Sequence, residues 1–292
     1  MRVLPTLLIA ASLGAAGHAV AQTWTRDAGH GYVNTSVTVL NGQRFHDATG
    51  ESHELPTTYR QLAVGVYGEV GAIDRWLTLT LDGEIYRRSE LEDQGLTQGL
   101  GDLRVGAWTG LVVAPVRLTV GAMVKLPTGD NRPDPDGVDV IDRPGARDVS
   151  RSLPTGEGAV VVEPAVRVGH SFGGAWWPLR HFAEGGLGWQ ARVDGADAWT
   201  WKAKLGTKVP VTVLDHVWWV VSLDGQHTTL PEDEPTSGGA TGLGEGVSVV
   251  GLALQAHVDF NGIGVFGGVS TAFLARRIIA GRPYQLGVFA EF

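Results

Sequence analysis

Along most of this chain apolar and polar residues alternate one for one. "WLTLTLDGEIY" sets Leu77, Leu79, Leu81 and Ile85 on one side and Thr78, Thr80, Asp82 and Glu84 on the other. "DLRVGAWTGL" sets Leu103, Val105, Ala107 and Leu111 against Asp102, Arg104 and Trp108, and "RLTVGAMVKL" sets Leu118, Val120, Val124 and Leu126 against Arg117, Thr119 and Lys125. A period of two belongs to strands, whose successive side chains point to opposite faces. Twelve such segments are predicted, at 31–40, 59–70, 76–88, 101–112, 117–127, 158–172, 181–193, 198–209, 216–228, 247–260, 263–275 and 283–292. No sustained run places apolar residues at i, i+3, i+4 and i+7, and glycines are scattered where a helix would not take them.

Most of these segments are close to the ~9–11 residues with which a tilted strand crosses a bilayer. A soluble sandwich also alternates, so the connections have to discriminate. Long gaps at 41–58, 89–100, 128–157 and 229–246 are interleaved with short ones at 71–75, 113–116, 173–180, 210–215 and 261–262. The gap at 194–197 is short where a long one is expected. Short turns on one rim and longer loops on the other are the layout of an outer-membrane barrel. The fold expected is therefore all-β, a transmembrane antiparallel up-and-down barrel of twelve strands with both termini on the short-turn, periplasmic rim.

The chain ends inside such a pattern. In "YQLGVFAEF" the residues Tyr284, Leu286, Val288, Ala290 and Phe292 alternate with Gln285, Gly287, Phe289 and Glu291. A closed barrel explains this, because the last strand pairs with the first and has no free edge. Phe292 is expected at the periplasmic aromatic girdle, with Trp176, Trp177, Trp218 and Trp219 on nearby turns. The ending resembles the C-terminal assembly signal of bacterial outer-membrane proteins, which implies the barrel-assembly machinery as a partner. An ordinary edge strand ending in Phe is the plainer alternative.

At the other end, Arg2, the apolar run from Val3 to Ala16 and the Ala19-Val20-Ala21 triplet have the order of a secretory leader. Residues 1–21 are expected to be a signal peptide and 22–292 the barrel, exported through the periplasm to the outer membrane of a Gram-negative bacterium. An uncleaved anchor is the alternative, but the run is short for a membrane span. With the leader gone, 22 basic residues stand against 31 acidic ones, a net charge of −9. That balance disfavours nucleic acid, whose phosphates draw basic surfaces. The chain has no Cys, hence no disulfide framework and no lipid-attachment cysteine. Glycine is 42 of 292 residues, about twice the usual ~7%.

Four stretches carry a family resemblance: "YGEVGAIDRWLTLTL" (67–81), "GLGDLRVGAWTGL" (99–111), "VGAMVKLPTGD" (120–130) and "LPTGEGAVVVEPAVRVGHSF" (153–172). In this order they resemble the outer-membrane family of the meta-pathway phenol degradation type, loosely related to FadL-like transporters. The resemblance covers 67–172 and implies uptake of small hydrophobic or aromatic molecules. It departs from FadL-like channels at the N-terminus, where Gln22 to His30 are too few for a plug domain. The motifs also read physically: Gly and Pro permit sharp turns and Asp accepts backbone N–H groups.

Strand parity assigns the lumen. A basic wall of Arg104, Arg117, Lys125, Arg167, Arg192, Lys202, Lys204 and Lys208 points inward on the fourth to eighth segments. Inward acids elsewhere are Glu69, Asp82, Glu84, Asp224 and Asp259, with Asp102, Glu163 and Glu184 among the cations and Glu291 on the last segment. Phe266 and Phe289 are the inward aromatic pair near the seam and a candidate track for an apolar solute. The plain alternative is that the charges pair across the lumen and fill it. Eight strands leave room only for side chains and sixteen hold an aqueous channel, so twelve predict a narrow or loop-gated path.

Catalytic patterns are lacking. There is no G-x-S-x-G or H-E-x-x-H, and His170 and Ser171 face opposite sides of a strand. His257 with Asp259 and Ser222 or Ser270 is a weak constellation, since inward polar residues occur in any barrel. "GLGDLR" lacks the third Gly of a dinucleotide fingerprint. Asp130, Asp134, Asp136, Asp139 and Asp142 crowd one loop, but Arg132 and Arg143 break the EF-hand frame, so a solvated polar loop is favoured over a Ca²⁺ site. The expectation is a channel for passive uptake, not an enzyme, with no cofactor and no metal and with outer-membrane lipid and a small solute as partners. A non-conducting surface barrel and an outer-membrane lipid-modifying enzyme are the alternatives.

Overall fold

Alternation this regular closes on itself. The computed structural model describes residues 24–92, 95–130, 153–173, 179–193, 195–211, 214–232 and 246–292, and among them every regular element is a strand. The strands are β1 (Gly31–His46), β2 (Ser52–Ile73), β3 (Leu77–Leu91), β4 (Gly95–Gly99), β5 (Leu103–Val113), β6 (Val116–Leu126), β7 (Val161–Phe172), β8 (Arg180–Arg192), β9 (Ala198–Val211), β10 (Leu214–Thr228), β11 (Ser248–Phe260), β12 (Ile263–Arg276), β13 (Ile278–Gly281) and β14 (Tyr284–Glu291). The long strands pair antiparallel with their neighbours in chain order, and β1 closes the ring: Val37 lies between Leu286 of β14 and Val64 of β2. Two short strands share positions with longer ones. The upper half of β3 pairs with β4 and its lower half with β5, and β1 divides in the same way between β13 and β14. The result is a closed barrel of twelve strand positions, matching the twelve segments expected.

The two faces separate by polarity as the parity requires. Outward side chains such as Val37, Leu79, Val105, Leu205, Leu254 and Val288 are exposed and apolar, while inward Ser36, Thr80, Thr119, Lys204, Gln255 and Gln285 are buried. That is the inversion of a soluble protein and suits a barrel surrounded by hydrocarbon. The connections after β2, β5, β7, β9 and β11 lie on the rim where Gly31 pairs with Phe292; it is called periplasmic here for its short turns. Exposed Trp76, Phe172, Trp219, Phe260 and Phe292 ring this rim.

Three features depart from expectation. Trp218 does not join that ring, because its neighbour Trp219 takes the outward face; Trp218 turns inward and packs on Phe182 at 5.6 Å. Trp176 and Trp177 lie outside the described residues. The gap expected at 41–58 shrinks to a five-residue turn, since β1 and β2 continue upward as a hairpin. Outward residues there are Arg44, Glu54 and Arg60, so the apolar half of the alternation disappears above the hydrocarbon although the strand does not. A bulge at Ile85 also flips the top of β3. Arg87 and Ser89 face inward, and Arg88 and Glu90 pair on the outside at 2.8 Å.

Candidate functional site

Three layers of residues occupy the lumen. At the extracellular end the motif stretches meet: Asp102, before β5, accepts the Gly129 N–H at 3.1 Å and the Glu157 N–H at 2.7 Å. Thr128 donates its hydroxyl to the Gly101 carbonyl and accepts from the Leu103 N–H. Thr155, 1% exposed, accepts from the Asp130 N–H. Gly129 and Gly156 pack backbone on backbone, and a Cβ on Gly156 would collide with the Asp102 carboxylate. The glycine, proline and aspartate motifs are thus one clasp that ties the ends of β5, β6 and β7 together. The clasp carries residues 153–157 inward. Leu153 packs on an inward apolar cluster of Leu40, Phe45, Leu55, Tyr59, Leu91 and Ile279, and Glu157 takes Lys125 as its ion-pair partner with Arg192 at 3.6 Å. Asp134, Asp136, Asp139 and Asp142 lie outside the described residues.

In the middle layer charges of opposite sign stand together. Arg104 bonds Asp82 across strands at 2.5 Å, and Glu84 receives Arg87 at 3.1 Å. Lys204 stands in register with Glu184 on one side and Ser222 on the other, and Lys202 with Asp224, which accepts the Ser222 hydroxyl at 3.1 Å. Arg167 stacks on Trp108, whose ring N–H donates to Thr80. The basic positions therefore interleave with acids on the same wall. Arg87, which parity alone turns outward, belongs to this layer through the bulge. Phe266 and Phe289, 2% and 8% exposed, are buried in an aromatic cluster with Tyr32 and Tyr67, and Phe266 lies over Gly287, where any Cβ would strike its ring. His257 stacks flat on Phe266 at 5.1 Å, Ser222 bonds Asp224, and Asp259 accepts the Gly262 N–H of the β11–β12 turn, so the proposed Ser–His–Asp arrangement does not assemble around Ser222.

The third layer comes from residues ahead of β1. Trp24 reaches inside the periplasmic mouth to Phe182, with ring centroids 6.2 Å apart. Arg26 bonds Glu69 at 2.7 Å, while Glu69 also accepts the Tyr67 hydroxyl at 2.8 Å. Asp27 bonds Arg75 at 2.6 Å, and Ala28 forms a bridge with Gly71. The segment spans the mouth from β2 and β3 to β8. Too short to be a domain, it still lies across the opening, which the count of residues before β1 does not reveal. Arg117 and Lys208 face the same mouth, 5.3 Å from the Trp24 ring and 5.6 Å from the Trp218 ring.

No family model and no curated protein matches the chain. Among solved structures, it is similar to an outer membrane channel from Pseudomonas putida F1, with 12% identity, a TM-score of 0.59, and 93% of this chain and 98% of that one covered. The fold is that of an outer-membrane barrel. The β domain of the Bordetella autotransporter BrkA aligns with 12% identity and a TM-score of 0.46 over 91% of this chain and all of that one. An anion-selective porin from Comamonas acidovorans aligns with 10% identity and a TM-score of 0.34 over 90% of this chain and 98% of that one.

Proposed function

We propose that this protein is a gated outer-membrane channel for passive uptake of small hydrophobic or aromatic solutes. The observation that carries this reading is the manner of closure. A polar interior is crossed at each end by a short segment, Trp24 to Ala28 below and Leu153 to Glu157 above, each held by a few hydrogen bonds and ion pairs. Such segments can leave without unfolding the wall. The aromatic or apolar character of the solute rests on the family resemblance of 67–172 and on the inward apolar cluster under Leu153. The similarity to an outer membrane channel agrees with the reading at the level of fold. Export through the periplasm, residence in the outer membrane of a Gram-negative bacterium and recognition of Tyr284, Leu286, Val288, Ala290 and Phe292 by the assembly machinery belong to the same proposal.

Single-channel current and liposome swelling test it. Native protein should conduct in brief openings, and Arg26→Ala with Asp27→Ala should prolong them by freeing the lower segment. The second reading, a non-conducting surface barrel, draws on the middle layer, where Thr119 and Ser222 are 1% and 2% exposed. A barrel that stays silent with both segments released would establish that alternative.

A further inference from the structure

A bowl of about 700 Å³ opens at the periplasmic mouth. Trp24 lies in its floor, and the β2–β3 turn at Arg75, the β5–β6 turn at Val113 and Ala114, and the start of β6 at Arg117 form its sides. Its cations are not equivalent. Arg26 is held by Glu69, and Arg75 by Asp27. Arg117 forms no ion pair among the described residues; its guanidinium carbon lies 5.3 Å from the centroid of the Trp24 ring, within cation–π reach. A cation–π contact at that distance attracts the charge without using the guanidinium's fork of hydrogen-bond donors.

We propose that this bowl binds a small organic monoanion with an apolar body, its carboxylate on Arg117 and its body against Trp24, Val113 and Ala114. Arginine's fork matches a carboxylate with two parallel hydrogen bonds. The volume falls in the range of small-molecule sites. Asp27 and Glu291 share the bowl, so a second negative charge on the ligand would be repelled. A fully hydrated inorganic anion gains nothing from the indole and alkyl walls. As the last stop of a solute leaving the lumen, the site rests on the channel reading; as a binding site it stands apart from it.

Equilibrium binding of radiolabelled benzoate to the purified full-length barrel in detergent tests the assignment without requiring conduction. Benzoate should bind saturably at one site, and Arg117→Ala should weaken it at least tenfold, with Arg117→Lys intermediate. Arg60→Ala, on the outer face at the far rim, should change nothing. Heat-modifiable migration on a gel checks that each variant is folded, and Arg117→Gln replaces the alanine variant if that fails. No saturable binding to native protein, equal binding by folded Arg117 variants, or equally tight binding of neutral benzyl alcohol overturns the site. Competition by inorganic phosphate as strong as by unlabelled benzoate overturns the organic class. Binding by a barrel that never conducts would sink the channel and keep the site, and conduction without binding would do the reverse.

Discussion

Asp102 shows how much one side chain does in this fold. It accepts two backbone N–H groups from two different segments, Gly129 and Glu157. Asp102→Ala removes the partner of two half-buried donors, at about 1 kcal/mol each, the low end of the cost because water partly reaches them. Urea unfolding of the refolded barrel should move by that order. A second carboxylate organises the outer turn. Burial pushes the Asp47 carboxyl up, but hydrogen bonds from His53, Thr49 and the Glu51 backbone outweigh it and hold it below the usual carboxylate range. The depressed folded value means that its contribution is complete above the unfolded value near ~4 and is lost as pH falls through the folded one. Amide protection at Thr49 and Glu51, corrected for intrinsic exchange, should therefore fall with acidification below about pH 4, and Asp47→Asn should abolish that dependence.

At the scale of the element, the strands were legible because the lipid face must be apolar wherever it meets hydrocarbon. All twelve positions follow from that single rule. It falls silent above the membrane, where Arg44, Glu54 and Arg60 replace apolar residues on β1 and β2, and it misreads the top of β3, because a bulge at Ile85 inserts one residue without altering composition. Cysteine labelling separates the two parities, since the chain has no native Cys. In whole cells an impermeant thiol reagent should modify Arg88→Cys and spare Arg87→Cys; the reverse would mean that β3 has no bulge. Lower on the same strand, Leu79→Arg should destabilise by about 2–4 kcal/mol in lipid, the depth-dependent cost of a cation facing the bilayer midplane. Denaturant titration in vesicles measures it, with Leu79→Val as the conservative control. Thr119 offers no cheap alternative site, because at 1% exposure the lumen is already packed there.

The whole molecule holds what alternation could not show: a segment ahead of β1 folded back into the mouth, a clasp made from distant motifs, and charges sorted into pairs. Parity alone gathers the cations of β5 to β9 into one wall. Register places acids among them, with Glu184 beside Lys204 and Asp224 beside Lys202. Lys204 and Glu184 are 3% and 4% exposed, so each depends on the other for compensation in a poorly screened interior. Removing one partner of a buried pair typically costs 3–5 kcal/mol, about what a barrel loses when a bare charge is left inside. Lys204→Glu should accordingly destabilise strongly and, in any conducting state, shift the reversal potential in a salt gradient toward cations. The exchange Lys204→Glu with Glu184→Lys keeps the net charge and restores opposite signs across β8 and β9. It should recover most of the stability and return the selectivity close to native. If the exchange remains as unstable as the single reversal, Lys204 answers to other partners across the lumen, and the interior is a network spanning the barrel instead of a set of pairs along its wall.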